Sequence, residues 1–129
     1  MTPPFDSYRR FALAWAAVLG LTGVVLGAFA AHALREVLPP RTLEAFTTAT
    51  RYQLLHAAAL LALAGAPLRV RWVALLWVVG VGLFAGSIYL IAVTGWRWLG
   101  PVTPVGGVCL MLGWGLLLLA ALKGETHAR

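Results

Sequence analysis

The segment 44–56, EAFTTATRYQLLH, constrains the fold most, because it carries a dense set of polar side chains directly into an apolar stretch. At helical spacing these side chains lie on two adjacent lines of one helix face. An arginine at the centre of a bilayer costs about 2.5–3.5 kcal/mol on insertion scales, so such a stripe must face other helices, water or a ligand. The stripe comprises Glu44, Thr47, Thr48, Arg51, Tyr52 and His56.

The composition of the whole chain is that of a membrane protein. Of the 129 residues, 61% are hydrophobic and only 11% are charged, against about 25% charged in soluble domains. The formal net charge is +6, but the basic residues stand singly or in pairs at the ends of apolar runs. That placement is typical of topology signals, so we expect a lipid bilayer as the surroundings and no nucleic acid partner.

The apolar runs predict an all-α, integral membrane protein, an antiparallel four-helix bundle with short loops. A helix needs about 20 apolar residues to span the hydrocarbon core, and the first run is too long for a signal peptide, so we expect it to be an uncleaved span. Pro39-Pro40 separates the first two helices because neither proline can donate a backbone N–H. The predicted single transmembrane domain, 1–129, has spans at approximately 11–32, 43–66, 72–93 and 104–122.

The distribution of cationic residues predicts the orientation. With the N-terminus inside and Arg51 left out of the count, most lie on the cytoplasmic side and only Arg35, Arg41 and Arg97 lie on the other. We therefore expect both termini in the cytoplasm. The cytoplasmic set is Arg9, Arg10, Arg69, Arg71, Lys123 and Arg129.

Small residues predict where helices touch, since glycines allow close approach in lipid. We expect helices one, three and four to meet at Gly23, Gly27, Gly82, Gly86, Gly106 and Gly113; Gly82 and Gly86 form a GxxxG pair. Cys109 is the only cysteine, so no intramolecular disulfide is possible, and we interpret it as a small buried hydrophobe.

Four sequence blocks, in order, resemble the YgdD-like family of small membrane proteins of unknown function. They are GAFAAHALR (27–35), ATRYQLLHA (49–57), GLFAGSIY (82–89) and TPVGG (103–107) followed by Gly113-Trp114. The resemblance implies a four-helix protein of the bacterial inner membrane, with relatives in mitochondria, and it brings no established chemistry. Ala30 and Ala33 depart from the family pattern, which more usually has glycine there, and this weakens the expectation of close packing.

The polar residues predict a cluster shared between helices, in the outer half of the bundle. Its candidate members are His32, Glu36, Arg51, Tyr52, Gln53, His56 and Tyr89. Buried polar groups pair with one another, so interhelical hydrogen bonding is the favoured interpretation. Arg51 has two alternatives, which are snorkelling to the headgroups or pairing with Glu36 or Glu44.

A haem or metal held by His32 and His56 is the weaker hypothesis for the two histidines. Straight helices place them about 10 Å apart along the membrane normal. We therefore expect no metal and no cofactor.

No nucleophile–base motif, phosphate-binding loop or zinc spacing occurs, so we expect no enzymatic activity. Two functional hypotheses remain. The first is a structural or accessory membrane protein whose polar cluster fixes helix packing or binds a partner. The second is an oligomeric carrier or channel for protons, ions or a small solute. Partners would be a second copy of the chain or another membrane protein, and the oligomeric state separates the hypotheses.

Overall fold

The computed structural model describes residues 6–68 and 70–124, and within these ranges all regular structure is helical. Four long helices follow one another: α1 is Ser7–Ala31, α2 is Pro40–Gly65, α3 is Arg71–Thr94 and α4 is Val102–Lys123. Short 3₁₀ helices, Ala33–Glu36 and Arg97–Leu99, occupy the connections after α1 and α3. The predicted all-α class is confirmed.

The helix ends follow from local chemistry. The Asp6 side chain accepts a hydrogen bond of 2.9 Å from the backbone N–H of Arg9, which caps α1. Pro40 occupies the first position of α2, where its missing N–H costs nothing. Gly95 and Gly124 end α3 and α4 with φ of 74° and 65°, a left-handed conformation that glycine adopts without strain.

The helices form two antiparallel hairpins, α1 with α2 and α3 with α4, and the contact between α2 and α3 joins the hairpins. Arg9 Nε donates a 3.0 Å hydrogen bond to the carbonyl of Ala64, which places the start of α1 beside the end of α2. The largest fully buried side chains are Trp77, Leu60 and Val73, all on the two joining helices. The core of the bundle therefore lies between α2 and α3.

In the part of the chain that the structure describes, three helical segments are long and apolar enough to cross a membrane: Ser7–Glu36, Arg71–Thr94 and Arg97–Lys123. Helix α2 has the length but a more polar composition. Its Thr50, Gln53 and His56 are buried against the other helices, so much of that polarity is shielded inside the bundle. These features confirm an integral membrane four-helix bundle.

Close contact between α3 and α4 depends on three glycines. A β-carbon on Gly80 would lie 2.7 Å from Leu110 Cδ2, and one on Gly113 would lie 2.5 Å from Trp77 Nε1. A β-carbon on Gly106 would overlap the backbone nitrogen of Phe84. The two backbones therefore approach each other at Gly106 with no room for a side chain.

The expectation that Gly82 and Gly86 form the contact face of α3 was wrong. A β-carbon at either position would meet nothing within 4 Å. At about 100° per residue, Gly82 and Gly86 point about 160° and about 120° away from the direction of Gly80, which faces α4. A GxxxG spacing defines a line of small residues but not the direction in which that line points.

The contact of α1 is also different from the predicted one, since α1 packs mainly on α2. A β-carbon on Gly23 would lie 2.8 Å from Leu54 Cδ2, so this glycine does permit close approach. Gly27 is looser, because the nearest atoms of Thr50 would be 4.0 Å from its added β-carbon.

These contacts predict opposite effects for two matched substitutions. Gly106→Ala should destabilise the bundle by roughly 1–3 kcal/mol, because the added methyl group forces the backbones apart. Gly86→Ala should leave stability unchanged or raise it slightly, since alanine favours helix over glycine. Thermal unfolding in detergent measures both, and equal effects would contradict the assigned contact.

Candidate functional site: an interhelical polar network

Gln53 connects three helices through its amide group. Its Nε2 donates 2.9 Å to the carbonyl of Leu19 and 2.7 Å to Thr22 Oγ1, both on α1. Its Oε1 accepts a 2.7 Å hydrogen bond from the hydroxyl of Tyr89 on α3. Since a carbonyl oxygen only accepts, the amide nitrogen is the atom that faces Leu19. Gln53 is 3% exposed, and both of its amide hydrogens are used.

Thr22 extends this network along α1. Its hydroxyl donates 2.7 Å to the carbonyl of Val18 in the preceding turn, so its oxygen is free to accept from Gln53. The Tyr89 ring also packs on Phe46 of α2, with ring centroids 4.8 Å apart. Each polar end in this part of the bundle therefore has a defined partner.

His56 lies one turn further along α2 and reaches α4. Its Nδ1 is 2.7 Å from the carbonyl of Tyr52, and its Nε2 is 3.0 Å from the indole Nε1 of Trp114. The carbonyl requires a proton on Nδ1, and the indole N–H requires a lone pair on Nε2. The geometry thus selects one neutral tautomer of His56.

An aromatic group surrounds this histidine. Trp77 of α3 lies edge-on to His56 at a centroid distance of 5.7 Å, and it packs on Trp114 at 4.5 Å. Trp77 is 1% exposed, and its indole N–H has no hydrogen-bond acceptor among the described residues. It lies against Gly113, where a larger residue would not fit.

A second, smaller polar contact joins α3 to α4. The hydroxyls of Ser87 and Thr103 share a short hydrogen bond, and Ser87 also donates 3.0 Å to the carbonyl of Phe84. Ser87 is buried, so this pair satisfies hydroxyls that would otherwise face hydrocarbon.

The structure brings three of the seven candidate cluster residues into the bundle interior and leaves the other four exposed. Gln53 and Tyr89 are hydrogen-bonded to each other, and His56 occupies the neighbouring turn of α2. Tyr52 is 45% exposed and stacks on Phe84. The others, His32, Glu36 and Arg51, are exposed and are not part of this network.

The sequence predicted a cluster in the outer half of the bundle, and the network lies elsewhere along the helices. Gln53 lies near the middle of α2, and the His56–Trp114 contact lies toward the end of the bundle that carries Ser7 and Lys123. His32 is the residue that ends α1 at the opposite end. The two histidines are therefore distant from each other, and no group of three metal-ligating side chains occurs among the described residues.

Arg51 is exposed on the surface of α2, about 16 Å along the helix axis from Pro40. Within the described part of the chain it forms neither an ion pair with Glu36 or Glu44 nor a hydrogen bond to another side chain. A cation that enters the hydrocarbon region without such a partner is costly.

Comparison with known proteins gives one family. Residues 26–107 match the family model "Protein of unknown function (DUF423)". The chain belongs to the DUF423 family. It is 38% identical over 127 residues to the UPF0382 inner membrane protein YgdD of Escherichia coli, covering 92% of this chain and 97% of that protein.

Relatives in other bacteria carry similar names. A UPF0382 membrane protein of Staphylococcus saprophyticus is 36% identical over 111 residues, 83% of this chain and 92% of its own length. One of Haemophilus influenzae is 36% identical over 114 residues, with 85% and 92% covered. No solved structure matches the chain significantly. The chain is therefore a small membrane protein from a family of unknown function, in agreement with the resemblance seen in the sequence.

The DUF423 match includes Gln53, His56 and Tyr89 but ends before Trp114. Sequence reasoning missed Trp114 and Thr22 as network members. The signals were weak: Trp114 stands between two glycines, and Thr22 is a hydroxyl residue in an apolar run. Neither pattern identifies a partner, because the partner lies on another helix.

A double-mutant cycle on this DUF423 chain tests the Gln53–Tyr89 bond. Tyr89→Phe and Gln53→Ala should each destabilise the bundle, with a coupling energy of about 0.6–1.7 kcal/mol, between the average and the maximum for interhelical bonds in membranes. Tyr52→Phe is the control, since that residue is exposed. A coupling energy near zero in thermal or chemical unfolding would contradict the bond.

Proposed function

We propose that this chain is a structural or accessory protein of the bacterial inner membrane, and not an enzyme. One observation carries the proposal: two buried polar side chains of α2, Gln53 and His56, form hydrogen bonds to the other three helices. Gln53 uses both amide hydrogens and its oxygen, and His56 uses both ring nitrogens. Groups so engaged stabilise packing, and their donor hydrogens are already used within the bundle.

The tautomer of His56 argues against a proton pathway within one copy. A relay through the ring needs Nε2 to accept a proton, and here Nε2 accepts the indole N–H of Trp114. Taking up a proton would break that bond and leave the indole N–H unpaired in an apolar region, which is costly. This supports the structural role over conduction.

We further propose that both termini face the cytoplasm. The support is the excess of arginine and lysine at the end of the bundle where α1 starts and α4 ends.

Reporter fusions test this orientation. A fluorescent protein fused after Arg129 should be bright and alkaline phosphatase at the same point should be inactive. Fusions in the connection before Pro40 should give the opposite pattern. An active phosphatase at Arg129 would overturn the orientation.

The alternative function, an oligomeric carrier or channel, is favoured by Arg51. An exposed arginine near the middle of a membrane helix needs other protein or water around it, and a second copy of the chain would supply that cover. In such an oligomer the exposed face of α2 that carries Arg51 would line a shared pathway between copies. The network at Gln53 and His56 would then hold that face in position.

Flux measurements with reconstituted vesicles separate the two functions. For a structural protein, wild type should give no proton or ion flux above empty vesicles, and His56→Ala should lower thermal stability without changing flux. For a carrier, wild type should conduct and Arg51→Gln should abolish conduction, while the protein runs as an oligomer in mild detergent.

Matched variants make the result decisive. His56→Gln keeps a side chain that can accept from Trp114, so for a structural role it should recover part of the stability lost in His56→Ala. Wild-type flux that Arg51→Gln abolishes would overturn the structural proposal. Wild-type stability in His56→Ala would also overturn it.

A further inference from the structure

A groove of about 400 Å³ opens on the bundle surface between the start of α3 and the end of α4. Its floor is apolar, formed by Val73 and Ala120, which are 1% and 5% exposed. Leu116 and Leu119 of α4 line it and are partly exposed. No other helix of the described chain covers this surface, so membrane lipid has access to it.

Two cations stand at the mouth of the groove. Arg71 is the first residue of α3 and Lys123 is the last residue of α4, so the antiparallel hairpin brings both to the same end. Both are exposed, and within residues 6–68 and 70–124 neither forms an ion pair. The described lining contains no acidic side chain. The site therefore combines positive charge at one end with an apolar surface below it.

The depth of these residues matches the anatomy of a lipid. Along α4, Leu119 lies about 6 Å and Leu116 about 10 Å deeper than Lys123. Trp72 borders the groove beside Arg71 and is 65% exposed, as is typical of a side chain at the headgroup level. The cations therefore lie where headgroups are, and the leucines lie where acyl chains begin.

We propose that this groove is a binding site for an anionic phospholipid. The phosphate lies between Arg71 and Lys123, and one acyl chain lies along Leu116 and Leu119. The first turn of α3 adds the positive end of its dipole on the same side. Charge complementarity selects an anionic over a zwitterionic headgroup, since basic pockets between transmembrane helices bind such lipids. The site does not depend on which of the two functions above is correct.

Lipid binding to the full chain in detergent tests the proposal, using native mass spectrometry with dioleoylphosphatidylglycerol and dioleoylphosphatidylcholine as probes. The wild type should bind the anionic lipid more tightly. Arg71→Gln combined with Lys123→Gln should weaken that binding roughly 30-fold, from about 1 kcal/mol for each cation near the surface. Binding of the zwitterionic lipid should change little.

Two further variants separate a defined site from general attraction. Arg35→Gln combined with Arg97→Gln removes the same charge at the opposite end and should keep the wild-type preference. Leu119→Ser keeps both cations but makes the groove more polar, and it should weaken binding several-fold at unchanged thermal stability. Equal loss in both charge variants, no headgroup preference in the wild type, or full binding by Leu119→Ser would each overturn the proposal.

Discussion

One amide group holds three helices of this bundle together. In lipid the tails are as apolar as the helix surfaces, so helices associate through close packing and hydrogen bonds rather than through a hydrophobic drive. Gln53 meets that requirement because its nitrogen bonds to α1 and its oxygen to Tyr89 on α3. His56, one turn away, bonds to Trp114 on α4. Helix α2 thus forms side-chain hydrogen bonds to each of the other three helices.

The two hairpins use different means of association. In α3–α4 the backbones come into contact at Gly106, and the only polar link between side chains of those two helices within the described residues is the Ser87–Thr103 pair. In α1–α2, Gly23 gives close approach and Gln53 adds hydrogen bonds. Dispersion contacts and hydrogen bonds each contribute modestly in membranes, so a small bundle gains from having both. The joint between the hairpins combines the aliphatic core around Leu60 and Val73 with the aromatic contact of Trp77 and His56.

The sequence predicted the helices better than their faces. Apolar runs and prolines determine where a helix lies, because length and breaking residues act locally. Which side of a helix meets a neighbour depends on rotation, and a step of one residue turns the face by about 100°. Arg51 and Gln53 were therefore assigned to one cluster, although Gln53 is buried and Arg51 is exposed. For the same reason Gly82 and Gly86 were predicted to face another helix, whereas Gly80 is the glycine of α3 that does.

The polarity of α2 has a consequence for biogenesis. Among the described residues, three helical segments are long and apolar enough to cross a membrane, and α2 is not one of them. Its Gln53 and His56 are shielded only when α1, α3 and α4 supply their partners. In the order of synthesis α1 precedes α2, whereas α3 and α4 follow it, so the partners Tyr89 and Trp114 are the last to become available. We therefore expect α2 to reach its final position in the bilayer only after the C-terminal half of the chain has been made.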